Sequence, residues 1–221
     1  MLARLLKGDG MRKTRFHNYK GQMLDAAGFL YLPHSVVTAL LLKVAGHRPE
    51  LPWLGYRAIN HLDELITKNW RVLEFGSGMS TIWLARRCGF LKSVETNENW
   101  YAVVKRILAE KSLGNVDYQL CRGAEDECLQ DCEDAAFDLV LVDGYNRDRV
   151  MGVAISKVKR GGYIYLDNSD VPYKEHQTAR DLLLKAAGSG AEVKIFNDLC
   201  PTQVCVSEGI LASMTSKPRG S

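Results

Sequence analysis

The chain has 221 residues, of which 46% are hydrophobic and 25% are charged, and its formal net charge is +3. These values are typical of a soluble globular protein with one α/β domain and a modest addition. The small net charge does not indicate a nucleic acid or an anionic membrane as a partner.

The termini and cysteines bear on location. The start, MLARLLKGDG, has too short an apolar core for a secretory signal, and the apolar run Val36 to Ala45 is too short to span a bilayer. The six cysteines lack a paired CxxC spacing, so we do not expect a zinc site. We expect a cytoplasmic protein whose cysteines are all reduced. They are Cys88, Cys121, Cys128, Cys132, Cys200 and Cys205.

The N-terminal 68 residues are predicted to form a basic segment followed by a helical addition. Residues 1–20 carry six basic side chains against one acid, a pattern typical of a solvated terminus. Apolar residues then recur at helical spacing, most clearly from Tyr56 to Ile66. Pro33 and Pro52 mark breaks between the helical segments.

From residue 69 to residue 212, short apolar runs alternate with amphipathic segments. The predicted strands are Val72–Phe75, Leu91–Val94, Val116–Leu120, Phe137–Val142, Tyr163–Leu166, Val193–Phe196 and Gln203–Val206. The predicted helices are Ser80–Cys88, Asn97–Lys111, Arg147–Lys157 and His176–Ala187. This alternation predicts a Rossmann-like, doubly wound seven-stranded sheet. The sheet is mostly parallel, but its last strand is antiparallel because its connection is too short for a crossover. Residues 213–221 form a polar tail.

A glycine turn follows the first predicted strand. Gly76 and Gly78 permit a tight turn that lies close to a ligand. Ser80 and Thr81 can cap the helix that begins there, and its free N–H groups face the turn. Such turns also occur as plain strand-to-helix connections that bind no ligand. The residues at the other strand ends must therefore show whether this turn belongs to a binding site.

Acidic residues stand at four strand ends, where ligands bind in doubly wound sheets. They are Glu74, Glu95, Asp143 and Asp167. Glu95 follows Glu74 at about the spacing at which an acid meets the ribose of a nucleoside cofactor. That spacing fits both NAD and S-adenosylmethionine. Thr81, however, stands where the dinucleotide motif has its third glycine, which disfavours a pyrophosphate.

Together with Gly123-Ala124 and Leu141-Val142-Asp143-Gly144, this pattern resembles class I S-adenosylmethionine-dependent methyltransferases. The resemblance covers about Arg71 to Val206. It implies that the first motif holds the methionine end of the cofactor, that Glu95 binds the ribose, and that residues 123–126 border the adenine. The implied cofactor-binding residues are Glu74, Phe75, Gly76, Ser77, Gly78, Ser80, Thr81, Glu95, Gly123, Ala124, Glu125 and Asp143.

Within that family the chain is most similar to metal-dependent small-molecule O-methyltransferases of the catechol and caffeoyl-coenzyme A type. The resemblance implies that Asp143, Asp167 and Asn168 bind Mg²⁺ or another divalent cation, which orients a small hydroxylated acceptor. Alternatively, Asp167-Asn168 only begins a loop. Methylation of base amines is not expected, because Asp143-Gly144-Tyr145-Asn146 lacks the prolines of that motif.

The chain departs from the catechol type at Asn146, where those enzymes have a lysine base. Arg147 and Arg149 stay protonated, so they either orient the acceptor or cover the helix surface. His176 is the candidate proton acceptor, with Asp143 as the second catalytic candidate.

Two other function classes stay open at this stage. One is a nicotinamide-dependent oxidoreductase on a Rossmann sheet, and the other is a non-catalytic homologue that only binds the cofactor. We expect a small-molecule partner, no nucleic acid and no membrane, and the helical addition offers a surface for a homodimer.

Overall fold

The computed structural model describes residues 8, 10–123, 127–129 and 132–214. Within these residues seven strands form one sheet in the order β3-β2-β1-β4-β5-β7-β6. Strands β1 to β5 pair in parallel, whereas β7 is antiparallel to both β5 and β6. The predicted fold is therefore confirmed. The strands are β1 Arg71–Phe75, β2 Phe90–Glu95, β3 Val116–Leu120, β4 Phe137–Val142, β5 Val158–Leu166, β6 Val193–Cys200 and β7 Gln203–Ser213.

Helices cover both faces of the sheet. Successive residues of β4 point to opposite faces, as the pleat requires. Leu139 and Leu141 pack with Leu62 and Trp83 on one face, whereas Val140 packs in a second cluster that includes residues of the later helices. The helices are α1 Ala26–Phe29, α2 Leu32–Ala45, α3 Tyr56–Leu65, α4 Met79–Ala85, α5 Glu98–Glu110, α6 Arg147–Lys157 and α7 Lys174–Ala187, with a 3₁₀ helix at Glu127–Leu129.

The N-terminal helices pack against the antiparallel end of the sheet. Leu24 and Tyr56 share an apolar cluster with Leu199 of β6. The Arg57 guanidinium donates to Asp198 at 2.9 Å and to Asp25 at 2.8 Å. The predicted boundary at residue 68, between the N-terminal part and the sheet domain, stays a prediction. The homodimer also stays a prediction. Helix α2 leaves apolar side chains exposed, namely Val37, Leu40, Leu41 and Val44.

Three strands are at least four residues longer than predicted, and one of them, β6, runs on to Cys200 instead of ending at Phe196. Strand β5 begins at Val158, which pairs with Phe137 before a bulge, so the Gly161-Gly162 pair lies inside the strand. Strand β7 continues through Glu208 to Ser213. Glu208 is only 1% exposed because Lys20 and Arg180 pair with its carboxylate. Buried charge pairs of this kind hide a strand from a hydrophobicity pattern.

The fold brings the carboxyl ends of β1, β2, β4 and β5 to one edge of the sheet. The strand order reverses between β1 and β4, which is where open α/β sheets bind ligands. None of the helices in the described part of the chain is both long and apolar enough to cross a membrane.

Candidate active site

The glycine turn after β1 is pressed against the loop after β4. Gly76 has a φ of +83°, and a Cβ atom added there would lie 1.6 Å from the carbonyl oxygen of Asp143. The N–H of Asp143 donates to the Phe75 carbonyl at 2.9 Å. Both the left-handed backbone and the close approach require glycine. Gly76 thus joins the two loops that frame the site.

Glu74 is fully buried behind this turn. Its Oε2 atom accepts hydrogen bonds from the hydroxyls of Thr81 and Ser93, both at 2.6 Å. Thr81 in turn accepts the N–H of Gly78 at 2.9 Å, which closes the first turn of α4. Among the described residues, Oε1 of Glu74 has no hydrogen-bond partner although it is buried. That orphaned acceptor fits a ligand that carries a positive charge or an N–H group.

Burial raises the pKa of Glu74 to about 7. The hydroxyls of Ser80, Ser93 and Thr81 oppose the shift because they stabilise the ionised form, and Asp143 adds to it by repulsion. The carboxyl of Glu74 therefore titrates near neutral pH in the folded protein. A cationic ligand beside it would favour the ionised form.

Glu95, at the end of β2, already accepts four hydrogen bonds. Its Oε1 takes the N–H groups of Thr96 and Asn97 at 2.9 and 2.8 Å. Its Oε2 takes the N–H and the hydroxyl of Ser77 at 3.0 and 2.8 Å. A carboxylate offers about four acceptor positions. The ribose contact stays a prediction, and it requires that the Ser77 hydroxyl turn away from Glu95.

A cleft of about 230 Å³ opens at this edge of the sheet. It is smaller than the roughly 300–1,000 Å³ of most ligand sites, so a cofactor must extend beyond it or widen it. A larger cavity of about 890 Å³ is lined by residues from the opposite, amino ends of the strands and is not part of this site. The cleft is lined by Gly76, Ser77, Val94, Glu95, Thr96, Asn97, Trp100, Asp143, Gly144 and Tyr145.

The cleft divides the predicted cofactor residues into two groups. Gly76, Ser77, Glu95 and Asp143 line it. The others in the glycine turn do not, and they support the turn from behind. Phe75 lies in the apolar core, and Ser80 is almost fully buried.

The adenine-side loop follows β3. Gly123 lies close to Glu127, whereas Ala124 and Glu125 lie outside the described residues. The prediction of reduced thiols is wrong for Cys121 and Cys128, which form a disulfide. Cys128 lies in the 3₁₀ helix, and its Cα atom is 5.9 Å from that of Cys121, a span that a disulfide bridges. Cytoplasmic location stays a prediction.

The predicted metal-binding residues meet at the ends of β4 and β5, but they meet around an arginine. The Nη2 atom of Arg147 donates to Oδ1 of Asp143 at 3.0 Å and to Oδ1 of Asn168 at 3.1 Å. Nη1 donates to the Gly144 carbonyl. Asp167 is 3% exposed, and its Oδ1 lacks a hydrogen-bond partner among the described residues.

A divalent cation therefore does not fit this arrangement. The unpaired Oδ1 of Asp167 would suit a cation. Asp143 and Asn168, however, are already hydrogen-bonded to the guanidinium of Arg147, which is always positively charged. Burial raises the pKa of Asp143, and Arg147 opposes that shift. Burial and the nearby Asp143 raise the pKa of Asp167 well above its usual range. Metal binding stays a prediction that these contacts disfavour.

His176 lies next to this group, as the start of α7 packs beside the loop after β5. Its Nδ1 atom is 3.1 Å from the Asn168 carbonyl oxygen. A carbonyl only accepts, so Nδ1 carries the hydrogen and Nε2 of the neutral ring has a free lone pair. Burial and Arg147 lower the pKa of His176. The geometry thus presents a neutral imidazole near Asp143.

Sequence reasoning missed several residues of the site. Tyr118 donates to or accepts from the Ser77 hydroxyl at 2.6 Å, and Trp100 donates to the Ser77 carbonyl at 2.8 Å. Trp100 lies in the amphipathic helix α5, and in the sequence only its indole N–H distinguishes it from a core residue. Ser93 lies two residues after the buried Leu91 and therefore on the same face of β2, where it pairs with Glu74 of β1.

Comparison with known proteins bears on the fold. No family model and no curated protein matches the chain. Solved structures do match. They include an O-methyltransferase from Bacillus cereus in complex with SAH, with a TM-score of 0.62 and 17% identity, covering 82% of this chain and 98% of that one.

Two further structures match over similar lengths. TomG from Streptomyces achromogenes, an O-methyltransferase involved in tomaymycin synthesis and solved with SAM, has a TM-score of 0.62 and 21% identity over 87% of this chain and 97% of its own. Cofactor-bound Rv0187 from MTB has a TM-score of 0.61 and 22% identity over 83% and 98%. The chain therefore has the fold of class I S-adenosylmethionine-dependent methyltransferases.

Proposed function

We propose that this protein transfers a methyl group from S-adenosylmethionine to a hydroxyl oxygen of a small acceptor. The observation that carries the proposal is the cleft at the sheet edge. Gly76, Ser77, Glu95 and Asp143, which the sequence pattern assigns to the cofactor, come from three strand ends and line it together. Folds alone do not define function, so the site must support it.

The residues around the cleft fit this cofactor. When bound, S-adenosylmethionine supplies a methyl group on a positively charged sulfur, which leaves as a neutral thioether when the acceptor oxygen takes the methyl carbon. Glu74 would take the amino group with its orphaned Oε1, and the close approach at Gly76 would let the backbone line the methionine end. Three acids near the cleft favour a cation over a pyrophosphate.

Several features support a small hydroxylated acceptor. The three solved structures include two named as O-methyltransferases. Tyr145 and Tyr173 are 72% and 54% exposed, and they follow β4 and β5. Tyr145 lines the cleft, and an exposed aromatic side chain at the mouth of a cleft suits a planar or ring-containing acceptor. That the protein has no nucleic-acid substrate stays a prediction.

The hydroxyl proton of the acceptor needs a base, and His176 is the candidate. Because Nδ1 donates to the Asn168 carbonyl, the Nε2 lone pair is the one that can take a proton. Glu175, with Oε1 at 3.4 Å from Nε2, would stabilise the imidazolium that forms. Asn146, which replaces the lysine of the catechol type, is exposed and caps no N–H with its side chain.

The test is methyl transfer from S-adenosylmethionine with a trideuterated methyl group. A panel of catechols, phenols, glycosides and polyketides is incubated with the protein, and products are read by mass spectrometry. We expect a product heavier by one trideuteromethyl group, and we expect His176→Asn to lower its rate without lowering cofactor affinity. No product from any acceptor, despite cofactor binding, would favour the non-catalytic homologue.

A further inference from the structure

The feature that the proposed function leaves unexplained is the buried arginine among the predicted metal ligands. Arg147 is 8% exposed, although a charged residue in the first turn of a helix usually faces solvent. A single atom, Nη2, contacts both Asp143 and Asn168, at 3.0 and 3.1 Å. It therefore stands between two of the three side chains that a metal would need.

The backbone holds Arg147 in this position. Asn146 precedes α6 with a φ of +53°, a left-handed conformation that asparagine tolerates better than most residues. Arg147 then begins α6, and its Nη1 atom donates to the carbonyl of Gly144, three residues back. The left-handed turn at Asn146 thus fixes the backbone of Arg147, and the hydrogen bond to the Gly144 carbonyl fixes its guanidinium.

The partner side chain is fixed as well. The Nδ2 atom of Asn168 donates to the Ser207 hydroxyl at 2.8 Å. This contact leaves Oδ1 as the atom that faces Arg147. Asn168 itself has a φ of +54°, so its backbone conformation is also specific. The hydrogen bond to Ser207 and the left-handed backbone therefore both orient the Asn168 amide toward the guanidinium of Arg147.

A guanidinium and a divalent cation cannot share these oxygens. The guanidinium is always protonated, and it is planar with donors in a fixed fork. A Mg²⁺ ion needs ligand oxygens at about 2.0–2.1 Å in a nearly octahedral arrangement. Placing it between Asp143 and Asn168 would bring it against Nη2, so like charges would repel at van der Waals contact.

We propose that Arg147 takes the place of the divalent cation, so that the acceptor side of the site is built without a metal. The inference rests on the proposed function, since it concerns the same site. Arg147 is a positioning residue: it neutralises Asp143 and orients Asn168, and its three described hydrogen bonds all go to the protein. Removal of the acceptor proton then falls to a side chain, not to a metal-bound hydroxyl.

The first experiment uses the unaltered full chain with saturating S-adenosylhomocysteine. Mn²⁺ is titrated up to 1 mM, and bound metal is followed by electron paramagnetic resonance. We expect no stoichiometric binding, and we expect the affinity for S-adenosylhomocysteine to be equal in EDTA and in Mg²⁺. One Mn²⁺ bound per chain, and lost in Asp167→Asn, would overturn the inference.

The second experiment removes the arginine. In Arg147→Ala, Asp143 and Asn168 are released beside the unpaired Oδ1 of Asp167, so we expect one Mn²⁺ to bind at least tenfold more tightly than to the unaltered chain. Arg149→Ala, which removes an exposed arginine of the same helix, should gain no site. Where Arg147→Ala does not fold, Arg147→Gln keeps two N–H donors without the charge and should also gain the site.

Failure of the inference differs from failure of the proposed function. A folded Arg147 variant that gains no Mn²⁺ would show that the arginine is not what excludes the metal, and would overturn the inference alone. Absence of S-adenosylhomocysteine binding to the unaltered chain, with or without metal, would remove the proposed function instead.

Discussion

The ends of β1 and β2 differ from the ends of β4 and β5 in how each stabilises its acids. Glu95 is surrounded by neutral donors, two backbone N–H groups on one oxygen and the N–H and hydroxyl of Ser77 on the other. Asp143 instead is paired with the charged guanidinium of Arg147. One edge of the sheet therefore presents two kinds of surface.

The two surfaces suit different ligands. Neutral donors leave the negative charge of Glu95 in place, which favours a cationic cofactor nearby. The guanidinium cancels the charge of Asp143, so the acceptor side is close to neutral and has no demand for a metal.

Gly76 joins the two regions, so its replacement should have the largest effect. In Gly76→Ala the added Cβ meets the Asp143 carbonyl at 1.6 Å and the φ of +83° becomes strained. We expect a loss of at least about 4 kcal/mol in the free energy of unfolding, from strain and overpacking together. Urea denaturation measures it. Gly152→Ala is the control, because its Cβ meets nothing within 4 Å and helical alanine should add about 1 kcal/mol.

Arg147→Ala breaks the charged pair on the acceptor side. Asp143 then lacks its cation in a largely buried place, which costs about 3 kcal/mol of unfolding free energy, the low end for buried pairs because Asp143 is 29% exposed. Thermal and urea unfolding in EDTA measure the loss. Arg149→Ala should change stability by less than about 0.5 kcal/mol. Equal stability of the two variants would contradict the role given to Arg147.

Glu95→Gln tests the neutral-donor side. Glutamine lacks the charge and has one acceptor atom instead of two, so the predicted ribose contact loses its charged partner. We expect the affinity for S-adenosylhomocysteine to fall about 100-fold, from about 2.7 kcal/mol for a hydrogen bond to a charged group. Calorimetry measures it. Glu98→Gln, an exposed change at the start of α5, should leave the affinity unaltered. An unaltered affinity in Glu95→Gln would remove Glu95 from the cofactor site.

The raised pKa of Glu74 predicts that the free energy of unfolding depends on pH. Its pKa is raised from 4.5 to about 7, so the folded state holds the proton more tightly. This contribution is present below pH 4.5 and is lost as the pH rises through about 7, a loss of about 2–3 kcal/mol between pH 5 and pH 8. Urea unfolding of the unaltered protein and Glu74→Gln at both pH values gives the difference. A variant with the same pH dependence as the unaltered protein would contradict the shift.

Much of the fold was predictable, because most strands carry a run of buried apolar residues between turn residues. The exceptions have local causes. The predicted fifth strand began only at Tyr163, whereas Gly161-Gly162 lie inside β5. The predicted last strand ended at Val206, whereas β7 continues through Glu208, whose charge is buried against two cations. Hydrophobic patterns report burial by apolar residues, and they do not report burial by charge pairing.

The site was predictable in its positions and not in its contacts. The strand ends gave Glu95, Asp143, Asp167 and Asn168 their places at one edge. The inward turn of Arg147 depends on the left-handed backbone of Asn146, which no pattern of residue types reveals. The disulfide at Cys121 depends on how the chain turns back after β3, and spacing alone could not predict it.

The most direct test of the account is calorimetric titration of the unaltered protein with S-adenosylhomocysteine in EDTA. The account predicts one cofactor product bound per chain with a dissociation constant in the micromolar range, and the same constant after Mg²⁺ is added. No heat of binding at millimolar S-adenosylhomocysteine in either buffer would contradict it.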